Sequence, residues 1–217
     1  MEQKKDDDLV SRAQNTMLRP VYNVDEQHPP NLLWSTTNGN VAAAAAIHVL
    51  ETYGPHVSKP CIVADVDETL LLNPEDESSG KFRINPPVKR IVQKAMEMNI
   101  PMYVVTARRK SHFGVDYLQH QMDKLHYNVT KTYMMNKEFH HLRSASPFKL
   151  EARKRIARQE GCTILVNLGD QASDMFLTTP TNKTFASHLA DTKYHGIAYA
   201  DGLCLLSIKL PSTYLVR

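Results

Sequence analysis

A chain of 217 residues with 42% hydrophobic and 23% charged residues is long enough to bury a sizeable core, and this length favours one domain over two equal domains. The formal net charge of +3 is only mildly basic, and the Lys and Arg residues are dispersed apart from residues 108–110 and 153–158. A nucleic-acid surface is therefore possible but not indicated, because an anionic substrate would explain the charge equally well.

The chain shows no membrane or secretion signal. No stretch approaches the ~18 consecutive apolar residues of a membrane span, and the charged segment 1–8 lacks the apolar core of a signal peptide. We therefore expect a cytoplasmic or otherwise intracellular protein without a membrane partner, the alternative being that a targeting segment has been removed. Cys61, Cys162 and Cys204 fall in apolar runs, which predicts buried small side chains rather than disulfides or a metal site.

The chain begins with a polar segment over residues 1–30, in which three prolines break regular structure and partial disorder is expected. Residues 31–217 are predicted to form one domain. Its first element is a helix over Asn31–Tyr53, which contains five consecutive alanines, and alanine is the strongest helix former.

Strands and helices then alternate along the chain. The strands are predicted over Cys61–Ala64, Met102–Val105, Thr130–Met134 and Thr163–Leu168, and the helices over Pro87–Asn99, Ser111–Leu125 and Pro147–Gln159, with a flap around Pro74–Phe82. This alternation predicts an α/β fold built from βα units around a parallel sheet. The 42 residues between Thr106 and Lys149 leave no room for a large separate cap.

Two acids follow the first predicted strand. Asp65 and Asp67 are two residues apart, so on an extended backbone their side chains point the same way at the carboxyl end of a strand. Open α/β sheets place their ligands at that end. Taken alone, residues 67–69 are more typical of a turn, because Asp and Thr are common turn formers.

The second predicted strand ends in Thr106, Ala107 and Arg108, so a hydroxyl and a guanidinium lie at the end of a strand. The Arg108 fork matches the geometry of a phosphate, whereas Arg109 and Lys110 are expected to be solvated. Taken alone, Thr106 is more typical of the N-cap of the next helix.

Two further segments carry charge at element ends. Lys149 lies in the first turn of a helix whose expected N-cap is Ser146, although the surrounding basic residues favour a solvated helical face. Asp170 and Asp174 follow the last predicted strand and would share one side if a helix began at Asp170. Both acids would also suit a helix start, a role compatible with metal binding.

Taken together, Asp65-x-Asp67, the strand-end Thr106, Lys149 and the Gly-Asp-x-x-x-Asp of residues 169–174 resemble, in this order, the four motifs of the haloacid dehalogenase (HAD) superfamily of aspartate-nucleophile phosphotransferases. The resemblance implies a three-layer α/β/α Rossmann-like HAD core with a parallel sheet, a small or minimal cap and an N-terminal helix. It also implies a phosphatase.

A narrower resemblance is to the class C acid phosphatases. It rests on Asp-Val-Asp-Glu-Thr at residues 65–69, on Asn-Leu-Leu-Trp at 31–34 before the Ala-rich helix, and on Leu-Pro-Ser-Thr-Tyr at 210–214. The chain departs from that family at Leu72, at Ala107 and at residues 171–172. The resemblance implies nucleoside 5′-monophosphates as favoured substrates.

The acids suit a hard cation, because Mg²⁺ prefers oxygen ligands and a phosphate dianion would be repelled by carboxylates alone. Asp65, Asp170, the backbone carbonyl of Asp67 and, through water, Asp174 are the expected ligands. The resemblance implies that Asp65 is the nucleophile and Asp67 the proton carrier. Since crowded carboxylates raise the proton affinity of one of them, we expect Asp67 to keep a proton.

The resemblance also implies the residues that bind the phosphoryl group. Thr106 with the adjacent backbone at Ala107 would hold one phosphoryl oxygen, and Lys149 would offset charge beside Asp65. Arg108 is the further candidate for substrate binding. The expected partner is a small phosphomonoester, while the oligomeric state is left open.

Two other functions are consistent with the sequence. One is a phosphatase acting on nucleic-acid ends or on phosphoproteins, which salt-sensitive binding of oligonucleotides would favour in the first case. The other is a storage or interaction protein with the same fold and little activity, against which the intact Asp65 and Asp67 argue. Trp34 could stack on a nucleobase, but a single Trp beside two leucines is more often a core residue.

Overall fold

A computed structural model describes residues 32–36, 39–72, 83–110, 114–140, 145–174, 196–199 and 204–210. Its strands are β1 (Leu32–Thr36), β2 (Pro60–Ala64), β3 (Leu71–Leu72), β4 (Arg83–Ile84), β5 (Met102–Arg109), β6 (Val129–Met135), β7 (Thr163–Gly169), β8 (Gly196–Tyr199) and β9 (Cys204–Lys209). Its α-helices are α1 (Gly39–Tyr53), α2 (Pro86–Glu97), α3 (Val115–Lys124) and α4 (Ser146–Gln159).

The main sheet has seven strands in the order β1-β8-β9-β7-β2-β5-β6. The five strands from β9 to β6 are parallel, whereas β8 runs antiparallel to β9 and β1 antiparallel to β8. β2 lies between β7 and β5, so the segment that follows β2 emerges at the middle of the parallel part. The predicted parallel sheet is confirmed.

Helices cover both faces of this sheet. Because side chains alternate along a strand, Ile62 and Ala64 of β2 join the core beneath α1, α2 and α3, while Cys61 and Val63 join the core beneath α4. The architecture is therefore a three-layer α/β/α Rossmann-like fold, as the sequence predicts. The Ala-rich segment packs without bulk, since four alanines of α1 are buried, namely Ala42, Ala43, Ala45 and Ala46.

The predicted helix over Asn31–Tyr53 is wrong at its start. Residues 32–36 form β1, which pairs antiparallel with β8, and α1 begins only at Gly39. The expected Trp-containing helix is thus a strand that carries Trp34. A partner strand more than 150 residues away decides this conformation, and no local pattern reveals such a partner.

The cysteine prediction is half right. Cys61 and Cys162 are buried as expected, but they form a disulfide with their Cα atoms 6.1 Å apart, so the expectation of unpaired thiols is wrong. Parallel pairing of β2 with β7 brings these two positions together from 101 residues apart. Cys204 lies in β9.

Several predictions fall outside the described residues. They are the disorder over residues 1–30, the flap at 74–82 and the end of the C-terminal motif at 211–214. The residues flanking the flap form a short antiparallel ladder between β3 and β4. Within the described ranges, no helix has both the length and the apolar character of a membrane span.

Candidate active site

The candidate site lies at the carboxyl ends of β2 and β7. Asp65 follows β2, and its backbone N–H donates to the carbonyl oxygen of Leu168 in β7 at 3.0 Å. Asp170 follows β7 directly. The carboxyl ends of two neighbouring parallel strands therefore bring these acids to one point, as predicted for a ligand site in an open α/β sheet.

Three buried carboxylates meet there. Asp65, Asp170 and Asp174 are 5%, 2% and 0% exposed, and each offers a carboxylate oxygen within 4.8 Å of the other two. Oδ1 of Asp65 is buried and has no hydrogen-bond partner among the described residues. A cluster of carboxylate oxygens with one oxygen unpaired fits a hard cation, so these three residues could hold a metal ion.

The turn that brings Asp174 to the cluster is tighter than expected. Residues 172–174 form a 3₁₀ turn rather than one turn of an α-helix, and Oδ2 of Asp174 accepts the backbone N–H of Gln171 at 3.0 Å. A Cβ atom at Gly169 would overlap the side chain of Asp174. Glycine at position 169 is therefore required for the close approach of Asp174 to the end of β7.

Lys149 bridges two carboxylates of this cluster. It lies in the first turn of α4, is 2% exposed, and donates through Nζ to Oδ2 of Asp65 at 2.9 Å and to Oδ1 of Asp174 at 2.5 Å. Burial opposes its charge, but the carboxylates of Asp174 and Asp65 outweigh burial and raise the pKa of Lys149. The solvated-face alternative for Lys149 is wrong, and so is Ser146 as N-cap, because Ser146 is already helical and Ala145 precedes it.

The sequence analysis missed a second layer of polar residues behind the cluster. Arg153 is 1% exposed, donates through Nε to Oδ1 of Asn167 at 2.7 Å, and places Nη2 3.6 Å from Oδ1 of Asp174. Asn167 in turn donates to the carbonyl oxygen of Asp174 at 2.9 Å and to Oγ of Ser207 at 2.7 Å. The polar Asn167 within the apolar run of β7 was the available signal.

Burial raises the pKa of Asp65 to about 7. The nearby Asp174 adds to this effect, while Lys149 opposes it without cancelling it, and Asp170 raises the pKa slightly further. A divalent cation among the three carboxylates would reverse the balance, because its charge favours the ionised form.

Asp67 lies outside the carboxylate cluster. Its side chain is 41% exposed and is held by the guanidinium of Arg108, whose Nε and Nη2 donate to its two carboxylate oxygens. The crowding expected to keep a proton on Asp67 falls on Asp65 instead, so that argument is wrong. Ligation by the Asp67 backbone carbonyl stays a prediction.

Thr106 and Ala107 lie within β5, which continues to Arg109 beyond the predicted strand end. Thr106 is fully buried, and its Oγ1 accepts the backbone N–H of Arg108 at 3.2 Å. The parallel register that pairs Ala64 with Val104 puts Thr106 at the same sheet edge as Asp65. The N-cap alternative is wrong, because α3 begins nine residues later, after Gly114.

Comparisons with known proteins add little to this geometry. No family model matches the chain, and a search of curated proteins gives no match. Among solved structures, a chain of "Structure of Pnkp1/Rnl/Hen1 complex" is 13% identical with a TM-score of 0.43, and covers 55% of this chain and 42% of its own length. A chain of "Structure of the Pnkp1/Rnl/Hen1 RNA repair complex" is 16% identical with a TM-score of 0.42, and the match covers 54% of this chain and 37% of the neighbour's length. The chain thus spans less than half of either neighbour, and such TM-scores support no functional conclusion.

Proposed function

We propose that this protein is a Mg²⁺-dependent phosphomonoester hydrolase of the haloacid dehalogenase type. The observation that carries the proposal is the state of Asp65, whose Oδ2 is held by the buried Lys149 while Oδ1 has no hydrogen-bond partner among the described residues. A carboxylate fixed through one oxygen, with its other oxygen unpaired within the described residues, suits a nucleophile or a metal ligand.

Asp65, Asp170 and Asp174 are the proposed metal ligands, with the backbone carbonyl of Asp67 as a fourth. Mg²⁺ is the proposed metal because all these donors are oxygen atoms. The bound ion would supply positive charge that allows a phosphate dianion to approach the acidic cluster. Lys149 and Arg153 together carry two positive charges against three carboxylates, so an excess of negative charge is left for a cation to offset.

In the first step, a carboxylate oxygen of Asp65 attacks phosphorus and the bond from phosphorus to the ester oxygen breaks. Asp67 gives a proton to the leaving alkoxide, and an aspartyl-phosphate remains on Asp65. In the second step, Asp67 takes a proton from water as that water attacks phosphorus, which releases inorganic phosphate and restores Asp65. Because Arg108 holds Asp67 in the described structure, proton transfer requires this pair to loosen when substrate binds.

The phosphoryl oxygens have donors on two sides of Asp65. Lys149 already lies 2.9 Å from Asp65, so it would also contact a phosphoryl group attached there. The Thr106 hydroxyl, with the backbone at Ala107, is the proposed donor from β5. Arg108 is the further candidate, since a guanidinium released from Asp67 matches a phosphate.

Nucleoside 5′-monophosphates are the proposed favoured substrates, a choice that rests on the sequence resemblance to class C acid phosphatases. The test is a panel of phosphomonoesters assayed with Mg²⁺ and with excess chelator. We expect turnover that requires the metal and that Asp65→Asn abolishes, because an amide is neither a nucleophile nor an anionic ligand. The matched control is Asp123→Asn, the same change at an exposed position near the end of α3. Full activity in chelator, or near-normal turnover by Asp65→Asn, would overturn the proposal.

A further inference from the structure

A concave site lies beside the proposed active site. It is a pocket of about 220 Å³ lined by Lys110, Met135, Asn136, Lys137 and His140. Lys110 directly follows β5, and its backbone N–H donates to the carbonyl oxygen of Met135 at the end of β6 at 3.2 Å. The pocket therefore opens at the same sheet edge as Asp65. Since β6 is two strands from β2, it lies roughly 10 Å to one side.

The two lysines of this pocket have no carboxylate partner among the residues that the structure describes. Lys110 and Lys137 are exposed, and neither has a carboxylate within ion-pair distance among the described residues. The neighbouring acid, Glu138, accepts a hydrogen bond from Nδ2 of Asn136 at 3.2 Å. Two lysines that line one concave surface and are unpaired within the described ranges favour an anion.

Two buried polar atoms also lack partners there. Oδ1 of Asn136 and Nε2 of His140 are shielded from solvent, and neither is hydrogen-bonded within the described part of the chain. Buried polar atoms are nearly always paired. Nε2 of His140 can donate to an anion in the tautomer that carries the proton there, whereas Oδ1 of Asn136 is an acceptor and would pair with a water molecule. A volume of 220 Å³ admits a phosphate group together with several waters.

We propose that this pocket binds a second phosphate of the substrate while the first phosphate reacts at Asp65. The inference rests on the proposed function and narrows its substrate class to nucleotides that carry another phosphate beyond the sugar, such as a nucleoside 3′,5′-bisphosphate. Lys110 and Lys137 supply the charge. The spacing of β2 from β6 separates the two phosphates across the sheet edge.

The test compares kcat/KM for adenosine 5′-monophosphate and adenosine 3′,5′-bisphosphate, both followed as loss of the 5′-phosphate. We expect the wild type to favour the bisphosphate by about 10-fold at low salt, and the preference to shrink as salt is added. The double substitution Lys110→Gln with Lys137→Gln should bring the ratio close to one. Lys124→Gln is the matched control, because this exposed lysine is the last residue of α3 and does not line the pocket. It should keep the wild-type ratio.

A second readout does not need turnover. Binding of the bisphosphate to Asp65→Asn protein is measured by calorimetry, with and without the two lysine substitutions. Binding that weakens about 10-fold when both lysines are replaced supports the pocket even if no phosphomonoester is hydrolysed, in which case the proposed function alone fails. A wild-type ratio near one, or a preference that survives the double substitution, would overturn the second-phosphate site while leaving the proposed hydrolase intact.

Discussion

Arg108 forms a bidentate ion pair with Asp67, two residues after Asp65. Nε of Arg108 donates to Oδ2 of Asp67 at 3.0 Å and Nη2 donates to Oδ1 at 2.6 Å, while Nη1 donates to Oε1 of Gln121 at 3.2 Å. The planar fork fixes both carboxylate oxygens at once, a geometry that a lysine cannot reproduce. Arg108 is thus a candidate for positioning Asp67 as well as for binding phosphate.

Arg108→Lys separates these two roles. If Arg108 positions the proton carrier, kcat/KM for an alkyl phosphomonoester should fall about 10-fold to 100-fold, and an aryl ester with a good leaving group should lose much less. The comparison needs only steady-state rates for the two esters. Arg109→Lys, at the exposed next position, should leave both rates near wild type. An equal loss for the two esters would instead assign Arg108 to phosphate binding.

The raised pKa of Asp65 predicts how the metal-free protein responds to pH. Burial raises this pKa from 3.8 to about 7, so in that interval the folded state holds a proton that the unfolded state releases. The stabilisation is complete below the unfolded pKa and is lost as the pH rises through about 7. Asp65→Asn, which is neutral at every pH, should therefore melt several degrees above wild type near pH 9 in chelator, with a smaller gap near pH 5.

Mg²⁺ should reverse the order of the melting temperatures, so that wild type melts above Asp65→Asn. The ion would stabilise wild type by binding the three carboxylates and should stabilise Asp65→Asn much less, which thermal melts at increasing Mg²⁺ would measure. Asp123→Asn should follow wild type throughout. A gap between Asp65→Asn and wild type that does not change with pH would contradict the shifted titration.

The central βα units were predictable because each strand and helix carries its own local pattern. Apolar runs ending in acids mark β2 and β7, and α4 starts near Pro147 as expected. The order of motifs also predicted that Asp65, Lys149 and Asp170 meet. These features depend on residues close in sequence, apart from the parallel pairing that a βα alternation already implies.

The features that were missed depend on distant partners. β1 is a strand because β8 pairs with it, and the disulfide forms because β2 and β7 are neighbours. In the sequence, Arg153 is one more charge on a basic helix, yet it is buried against Asn167 because α4 packs on one face of the sheet. The periodicity of apolar residues in one sequence does not reveal such long-range contacts.

Lys149→Gln tests the energetic role of the buried lysine. The substitution leaves Asp65 and Asp174 buried without their shared cation, which should lower the free energy of unfolding by something on the order of 3 kcal/mol in chelator. Urea titrations measure the loss, and Lys154→Gln on the same helix is the control. Adding Asp65→Asn to Lys149→Gln should recover part of the stability, since one unpaired charge is removed. No recovery in the double variant would show that Lys149 stabilises the fold by another route.

Gly169→Ala should displace Asp174 without altering any ionisable group. A Cβ atom at position 169 overlaps the Asp174 side chain, whereas a Cβ atom at Gly114 meets nothing within 4 Å. We expect Gly169→Ala to weaken Mg²⁺ affinity by about 10-fold to 100-fold, as displaced metal-site residues typically do, and Gly114→Ala to leave it unchanged. Calorimetric titration with Mg²⁺ measures both. Wild-type affinity in Gly169→Ala would show that Asp174 is not needed where the structure has it.

Asp170 and Asp174 should differ as metal ligands, because Asp174 also contacts two buried cations. Asp174 contacts Lys149 and Arg153, so Asp174→Ala should destabilise the metal-free protein as well as reduce Mg²⁺-dependent activity by about 10-fold to 100-fold. Asp170→Ala should strongly raise the Mg²⁺ requirement, because it removes one of the proposed anionic ligands. Melting curves in chelator and Mg²⁺ titrations of activity separate the two effects. The ligand assignment is wrong if wild type and Asp170→Ala require the same Mg²⁺ concentration. It is also wrong if a Mg²⁺-soaked crystal has the ion beyond hydrogen-bond length from both Asp65 and Asp170.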